Sequence, residues 1–223
     1  MMIKKNIADY KTIVFDCDGV VFNSNKVKTQ SFYDVAKVYG HEPAKALKDY
    51  HVQNGGISRY AKFKYLFTDI LKKPINQNEL IQLLDNFACE VKNALMNCEV
   101  ADGLEELREK TQHSNWLIVS GGDQQELREL FKVRSLDHYF DGGIFGSPDT
   151  KETILTREIE SGNIIQSALY IGDSLYDYQS AQAADLDFIF LTQWTEMKNY
   201  RSWAKEIRAL NYRSIKDFFE HLC

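Results

Sequence analysis

Short apolar runs alternate along the chain with longer amphipathic stretches. Four such runs each end at a polar or small residue: KTIVFDCD, NWLIVSGG, SALYIGDS and LDFIFLTQ. Unbroken apolar runs of this kind are typical of strands covered on both faces, as in a parallel sheet. Helices are predicted between them, in DGLEELREKTQ, DQQELRELFKV, TKETILTREIES and DYQSAQAAD. Strand alternating with helix predicts a doubly wound α/β domain, in which ligands bind beyond the carboxyl ends of the strands.

The region from residue 22 to residue 100 lacks such a run. Its apolar residues recur at helical spacing in three segments: NKVKTQSFYDVAKVYG, GGISRYAKFKYLFTDILKK and NQNELIQLLDNFACEVKNALMN. We therefore predict an all-helical domain over residues 22–100, inserted into an α/β core formed by residues 1–21 and 101–223. The insertion has 11 lysines and arginines against 8 aspartates and glutamates. That balance suits an anionic substrate, and it equally suits a solvated helical surface.

The composition is that of a folded chain with a sizeable core, since 44% of its 223 residues are hydrophobic. A net charge of −5 argues against nucleic acid as the main partner. No apolar run approaches the roughly 18 residues of a membrane span, and MMIKKNIADYK lacks the apolar stretch of a secretory signal. The four cysteines lack the C-x-x-C spacing of zinc and redox sites. Reduced thiols and a cytoplasmic location are therefore expected.

Two pairs of aspartates follow predicted strands. Asp16 and Asp18 are two residues apart, so in an extended chain their side chains would point the same way. Asp173 and Asp177 are four apart, so on a helical turn they share a face. Carboxylates that converge at strand ends repel one another unless a cation joins them. Oxygen ligands without a nearby histidine or cysteine favour Mg²⁺.

Two further features suit an anion held beside that metal. Ser120 is predicted to end a strand, and Gly121 and Gly122 then lead into a helix. A hydroxyl beside exposed N–H groups at a helix N-terminus is typical of a phosphate cradle. Lys151 lies at a predicted helix start, where its compact charge would offset several carboxylates.

Together these features resemble the haloacid dehalogenase superfamily, whose four motifs occur here in the same chain order. The resemblance extends from about Thr12 to Leu191, and it implies a Rossmann-like core. The helical insertion resembles the cap of the phosphoglycolate phosphatase and β-phosphoglucomutase branch. Two departures are Asp185, where relatives often have glycine, and Glu152, where proline often follows the lysine. The motifs are Asp16-x-Asp18-Gly-Val, Ser120, Lys151 and Gly172-Asp-Ser-x-x-Asp177.

The resemblance implies a role for each matching residue. Asp16 would be the nucleophile that forms an aspartyl-phosphate, and Asp18 would move protons to the leaving group and from water. Lys151 would orient Asp16 and balance charge on the transferred group. The phosphoryl oxygens would be bound by Ser120 and the Gly121 N–H. The ligands of Mg²⁺ would be Asp16, the backbone carbonyl of Asp18, and Asp173, with Asp177 close by or acting through water.

Within this family the residue at position 18 separates the reaction types. Relatives that cleave carbon–halogen bonds lack this second aspartate, so Asp18 favours a phosphatase or a phosphomutase acting on a small phosphate ester, possibly a sugar phosphate. NGGISRYAKF resembles the cap loop of β-phosphoglucomutase, by which likeness Arg59 would bind a distal anionic group of the substrate. VFNSNKVKTQ lacks the histidine or Thr-Asp pattern usual in the mutases, which favours hydrolysis. The alternatives are a sugar phosphomutase and a non-catalytic binding protein of the same fold.

Overall fold

A six-stranded parallel sheet forms the centre of the protein. The computed structural model describes residues 6–221. The strand order is β3-β2-β1-β4-β5-β6, so β1 lies between β2 and β4. The predicted doubly wound α/β fold is confirmed. The strands are β1 (Thr12–Phe15), β2 (Asn115–Asp123), β3 (Gly143–Ser147), β4 (Ala168–Gly172), β5 (Asp187–Leu191) and β6 (Leu210–Tyr212).

Side chains alternate between the two faces along each strand, and a hydrophobic core covers each face of the sheet. On β1, Ile13 and Phe15 join a large core on one face, whereas Val14 joins a smaller core on the other. The α-helices of the core region are α5 (Leu104–Lys110), α6 (Gln124–Val133), α7 (Lys151–Glu160), α8 (Leu175–Ala183), α9 (Tyr200–Glu206) and α10 (Ile215–Glu220). None of the described helices is both long and apolar enough to cross a bilayer.

The segment between β1 and α5 is helical, as predicted. Its α-helices are α1 (Asn25–Ala36), α2 (His41–Gln53), α3 (Arg59–Tyr65) and α4 (Gln77–Asn97), and a π-helical turn at Leu66–Ile70 extends α3. The chain enters and leaves this segment side by side, because Phe22 bridges to Val100 and the Ala101 N–H donates to the carbonyl of Val21. The division into domains at residues 22 and 100 stays a prediction.

Three elements differ from those expected. β3 and α2 were not predicted, because GIFGS is short and glycine-rich and because Pro43 interrupts the pattern of α2. Pro43 lies in the first turn of α2, where a missing N–H costs nothing. β2 continues beyond Ser120 to Asp123, with a shift in its register to β3. The glycines after Ser120 therefore belong to the end of strand β2 and not to a loop.

Candidate active site

Three buried carboxylates meet beyond the carboxyl ends of β1 and β4. Phe15 of β1 pairs with Ile171 of β4, so Asp16 and Asp173 leave neighbouring strands at the same edge. Asp177 lies in the first turn of α8 and completes the group. One carboxylate oxygen from each residue lies within 4.8 Å of the others. The sequence predicted this convergence.

Lys151, the first residue of α7, provides an ammonium group that neutralises part of this charge. Its Nζ lies 2.7 Å from Oδ1 of Asp16 and 2.5 Å from Oδ1 of Asp177. The side chain is fully buried, so little solvent screens these ion pairs. Oδ2 of Asp16 accepts no hydrogen bond from the described residues. Asp16 lines a cavity between the core and the insertion. Lys151 therefore fixes one oxygen of Asp16 and leaves the other for chemistry.

Asp177 holds other groups in place with both of its oxygens. Oδ1 accepts from Lys151 and from the Tyr170 hydroxyl, and Oδ2 accepts from the N–H groups of Asp173 and Ser174 and from the Ser174 hydroxyl. The Tyr170 hydroxyl lies 3.2 Å from Lys151 Nζ and 3.0 Å from the carbonyl oxygen of Val119. A direct bond from Asp177 to a metal would compete with these hydrogen bonds. This occupancy favours the expected indirect role.

The carboxylate of Asp173 accepts fewer hydrogen bonds than that of Asp177. Asn25, at the start of α1, donates to its Oδ2 at 2.7 Å, and the Thr195 hydroxyl donates to its backbone carbonyl at 2.6 Å. Gly19 adopts a φ of +79°, and a Cβ there would approach Oδ2 of Asp173 to 2.2 Å. Only glycine fits this position, so the turn after Asp18 can close on Asp173.

The charge balance of this group fits a divalent cation. Burial and the charge of Asp177 raise the pKa of Asp16 to about 7, although Lys151 opposes the rise. Burial, together with Asp177 and Asp16, raises the pKa of Asp173 well above its ordinary value. Three carboxylates face one ammonium group, so the ionised cluster lacks two positive charges. Mg²⁺ carries that charge and prefers such oxygen ligands.

Asp18 lies apart from the acidic cluster and pairs with the helical insertion. The Ser24 hydroxyl donates to its Oδ1 at 2.5 Å, and Lys28 Nζ lies 2.6 Å from its Oδ2. Burial alone would raise the pKa of Asp18, but Lys28 and the hydrogen bond from Ser24 outweigh it, and the pKa is lowered. Asp16 and Asp18 thus have opposite pKa shifts. The shift of Asp18 suits a base, whereas Asp16 needs a cation beside it to favour the ionised form that a nucleophile requires.

The predicted phosphate cradle differs in detail from expectation. The Ser120 hydroxyl is buried and accepts from the Gly122 N–H at 3.0 Å, whereas Gly121 and Gly122 line the cavity. Asp123 caps α6 by accepting from the N–H groups of Gln125 and Glu126, so a carboxylate already occupies that helix end. A Cβ on Gly121 would lie 2.1 Å from the carbonyl oxygen of Gly56, so the glycine permits close approach of the insertion.

Arg59, which was predicted to bind an anionic group of the substrate, lines the cavity but forms an ion pair with Glu126. Its guanidinium forms a two-bond contact with the carboxylate of Glu126 on α6. The neighbouring Tyr60 hydroxyl donates to Asp123 at 2.8 Å. These contacts join α3 of the insertion to the start of α6.

One cavity of about 190 Å³ connects these groups. Its wall combines Asp16, Asp18 and Asp173 from the core with Lys28, Arg59 and Lys62 from the insertion. Lys28 and Lys62 were not predicted as site residues. The signal for Lys28 was its place in NSNKVK, one helical turn after Ser24, so both side chains face the strand end.

The comparison with protein families agrees with this geometry. The family model of haloacid dehalogenase-like hydrolases matches residues 13–191. The chain belongs to this family. The matched range contains every site residue named above except Thr195. As a haloacid dehalogenase-like hydrolase, the protein is an enzyme. No curated protein matches the chain.

Solved structures share this fold over almost the whole chain. A phosphoglycolate phosphatase predicted in Haemophilus somnus has a TM-score of 0.72 at 16% identity, with 96% of this chain and 98% of that chain covered. A phosphatase predicted in Clostridium acetobutylicum has a TM-score of 0.72 at 20% identity, covering 96% and 98%. A proposed β-phosphoglucomutase from Bacteroides vulgatus has a TM-score of 0.74 at 18% identity, covering 96% and 89%. At these identities the likeness establishes the fold.

Proposed function

We propose that the protein is a Mg²⁺-dependent phosphatase that hydrolyses a small phosphate monoester through an aspartyl-phosphate on Asp16. The observation that carries the proposal is the arrangement around Asp16. One of its oxygens is bound to Lys151, the other has no hydrogen bond among the described residues, and Asp18 lines the same cavity. Phosphatases and a phosphomutase among the structural neighbours are consistent with this reaction.

The first half of the reaction transfers the phosphoryl group to the enzyme. A carboxylate oxygen of Asp16 attacks phosphorus, and the bond to the ester oxygen breaks. Asp18 gives a proton to the departing alkoxide, and it carries that proton when its ion pair with Lys28 is open. Lys151 and the N–H group of Gly121 face the negative charge on the transferred group. Positioning and positive charge supply most of the catalysis of phosphoryl transfer.

The second half returns the enzyme to its starting state. Asp18, now ionised, takes a proton from water while the water oxygen attacks phosphorus of the aspartyl-phosphate. The P–O bond to Asp16 breaks, and inorganic phosphate leaves. Lys28 and Ser24 support this step because they stabilise the ionised form of Asp18.

Asp16, Asp173 and the backbone carbonyl of Asp18 would hold Mg²⁺, with Asp177 in support. The bound cation supplies charge that stabilises the anionic phosphoryl group. Without it, Asp16 and Asp173 repel each other, and both resist ionisation.

The test is phosphate release from a broad panel of phosphate esters, including p-nitrophenyl phosphate and sugar phosphates, in the presence of Mg²⁺. We expect release from at least one ester, and none from the Asp16→Asn variant. Absence of turnover on the whole panel, with folded protein, would contradict the proposal. Conversion of one sugar phosphate isomer into another without phosphate release would instead identify a phosphomutase.

A further inference from the structure

Lys62 is a buried lysine in the wall of the active-site cavity. It lies on α3, one helical turn after Arg59, and only 1% of its surface is exposed. Arg59, Lys62, Phe63 and Leu66 form the buried stripe of this helix and its extension. A stripe at this spacing is ordinarily apolar. Two cations within it therefore require an explanation.

Lys62 has no acidic partner among the described residues. Its Nζ lies 2.7 Å from Nδ1 of His51, and it sits 5.3 Å from the centre of the Phe32 ring. Burial and the positive charges nearby lower the pKa of His51 well below its ordinary value. His51 is therefore neutral and accepts one hydrogen bond without cancelling the charge of Lys62. A lysine ammonium has three donors, so two remain.

The other cations of the cavity differ from Lys62 in this respect. Arg59 is bound to Glu126, and Lys28 is bound to Asp18. Each of them has a carboxylate that balances its charge, so neither needs a ligand. Charging a buried lysine without such a partner is costly, and binding an anion would offset that cost and favour the charged form of Lys62.

We propose that Lys62 binds a second anionic group, a carboxylate or a further phosphate, on the substrate whose phosphate ester lies at Asp16. This inference rests on the proposed function and assigns to Lys62 the task that the sequence suggested for Arg59. His51 and Phe32 orient the ammonium group, while Phe87 forms another part of the wall.

The test measures binding and does not depend on turnover. Calorimetry with Mg²⁺ present compares three inert phosphonates: ethylphosphonate, phosphonoacetate and ethylene-1,2-bisphosphonate. Phosphonoacetate replaces the methyl group of ethylphosphonate by a carboxylate, and the bisphosphonate replaces one hydrogen of that methyl group by a second phosphonate. A charged hydrogen bond to Lys62 predicts about tenfold or greater tightening for at least one doubly anionic probe. The probe that gains more identifies the preferred anion.

Three variants separate charge from packing. Lys62→Met removes the charge, and Lys62→Gln removes it while keeping a donor for His51. Lys64→Met, on the exposed side of the same helix, is the matched control. We expect both Lys62 variants to lose the preference for a doubly anionic probe and Lys64→Met to keep it.

Equal binding of all three probes by the wild-type protein would overturn the inference, as would a preference that survives in both Lys62 variants. Absence of binding by every probe would overturn it as well. If the Lys62-dependent preference is present but no ester releases phosphate, the anion site stands and the proposed hydrolysis fails. If esters are hydrolysed without any such preference, the hydrolysis stands and the anion site fails.

Discussion

Lys28 Nζ lies 2.6 Å from Oδ2 of Asp18, and this ion pair joins helix α1 of the insertion to the end of strand β1. The side chains of Lys28 and Asp18 are only 11% and 18% exposed, so solvent screens the pair weakly. Ser24 holds the other oxygen of Asp18. The proton affinity of Asp18 therefore depends on where the insertion sits, and a displaced α1 would leave Asp18 with a higher pKa.

Lys28→Met is expected to raise the pKa of Asp18, because burial would then act without the opposing charge. Loss of a neighbouring opposite charge moves a carboxyl pKa by about one unit or more. We expect the acidic limb of the kcat profile to move to higher pH by about that amount, because hydrolysis of the aspartyl-phosphate needs ionised Asp18. The measurement is kcat between pH 4 and pH 8. Lys26→Met, an exposed residue of the same helix, is the control, and an identical shift in both variants would contradict the role of Lys28.

Asp18→Asn is expected to trap the covalent intermediate. p-Nitrophenyl phosphate has a leaving group that needs little protonation, so Asp16 is still phosphorylated, but the following attack by water lacks its base. Mass spectrometry of the peptide that contains residue 16 is expected to find one added phosphoryl group. Asp16→Asn is expected to show no adduct and a kcat lower by about 10⁴-fold or more, as when other nucleophiles are removed. An adduct on Asp16→Asn would exclude Asp16 as the nucleophile.

Removal of Mg²⁺ is expected to abolish activity and to lower stability. Mg²⁺ at 100 times its Kd is expected to add about 2.7 kcal/mol to the free energy of unfolding. Asp173→Asn is expected to lose this gain, yet without metal it is at least as stable as the wild-type protein, because one repelling charge is gone. Thermal unfolding with EDTA, with Mg²⁺ and with NaCl of equal ionic strength checks both points. Full activity in chelator would contradict the metal site.

The core half of the site was predictable from the sequence. Parallel strands end at one edge of a sheet, so the aspartates that follow β1 and β4 had to meet there. Lys151 was placed at a helix start, and α7 does begin with this residue. The backbone at position 185 also explains why relatives often have glycine there. Asp185 adopts a φ of +55°, a conformation that glycine enters more easily, and it follows the end of α8.

The insertion half of the site was not predictable in the same way. Helical spacing identifies the buried side of α3 but not the element that covers it, so the pairing of Arg59 with Glu126 depends on tertiary packing. Lys62 resembles an ordinary surface lysine in sequence, although its spacing from Arg59 and Phe63 places it on the buried stripe.

The ion pair between Arg59 and Glu126 is expected to help hold the insertion against the core. Arg59 is 7% exposed and Glu126 is 41% exposed, so Glu126→Ala leaves a buried guanidinium without its partner. Glu126→Ala is therefore expected to lower the free energy of unfolding by about 1–3 kcal/mol. Glu129→Ala, exposed on the same helix, is expected to have little effect. In urea titrations, equal losses in the two variants would show that the pair contributes nothing.

Lys62 gives the stability of the protein a pH dependence. Burial, followed by the charge of Lys28, lowers the pKa of Lys62 from 10.5 to about 7, with Lys151 acting in the same direction and Asp18 and Glu196 opposing it. Between pH 7 and pH 10.5 the unfolded chain binds a proton at this lysine that the folded chain does not, so this contribution makes stability rise with pH. The destabilisation is complete below pH 7 and disappears near pH 10.5.

Lys62→Met removes this titration. We expect Lys62→Met to unfold at a higher temperature than the wild-type protein at pH 6, and we expect the difference to shrink as pH rises towards 10. Because other groups titrate in the same range, the measurement is the difference between the two melting temperatures at each pH. Lys64→Met, whose side chain is exposed, is expected to show no such trend. A difference that stays constant with pH would mean that Lys62 is charged in the folded protein throughout this range.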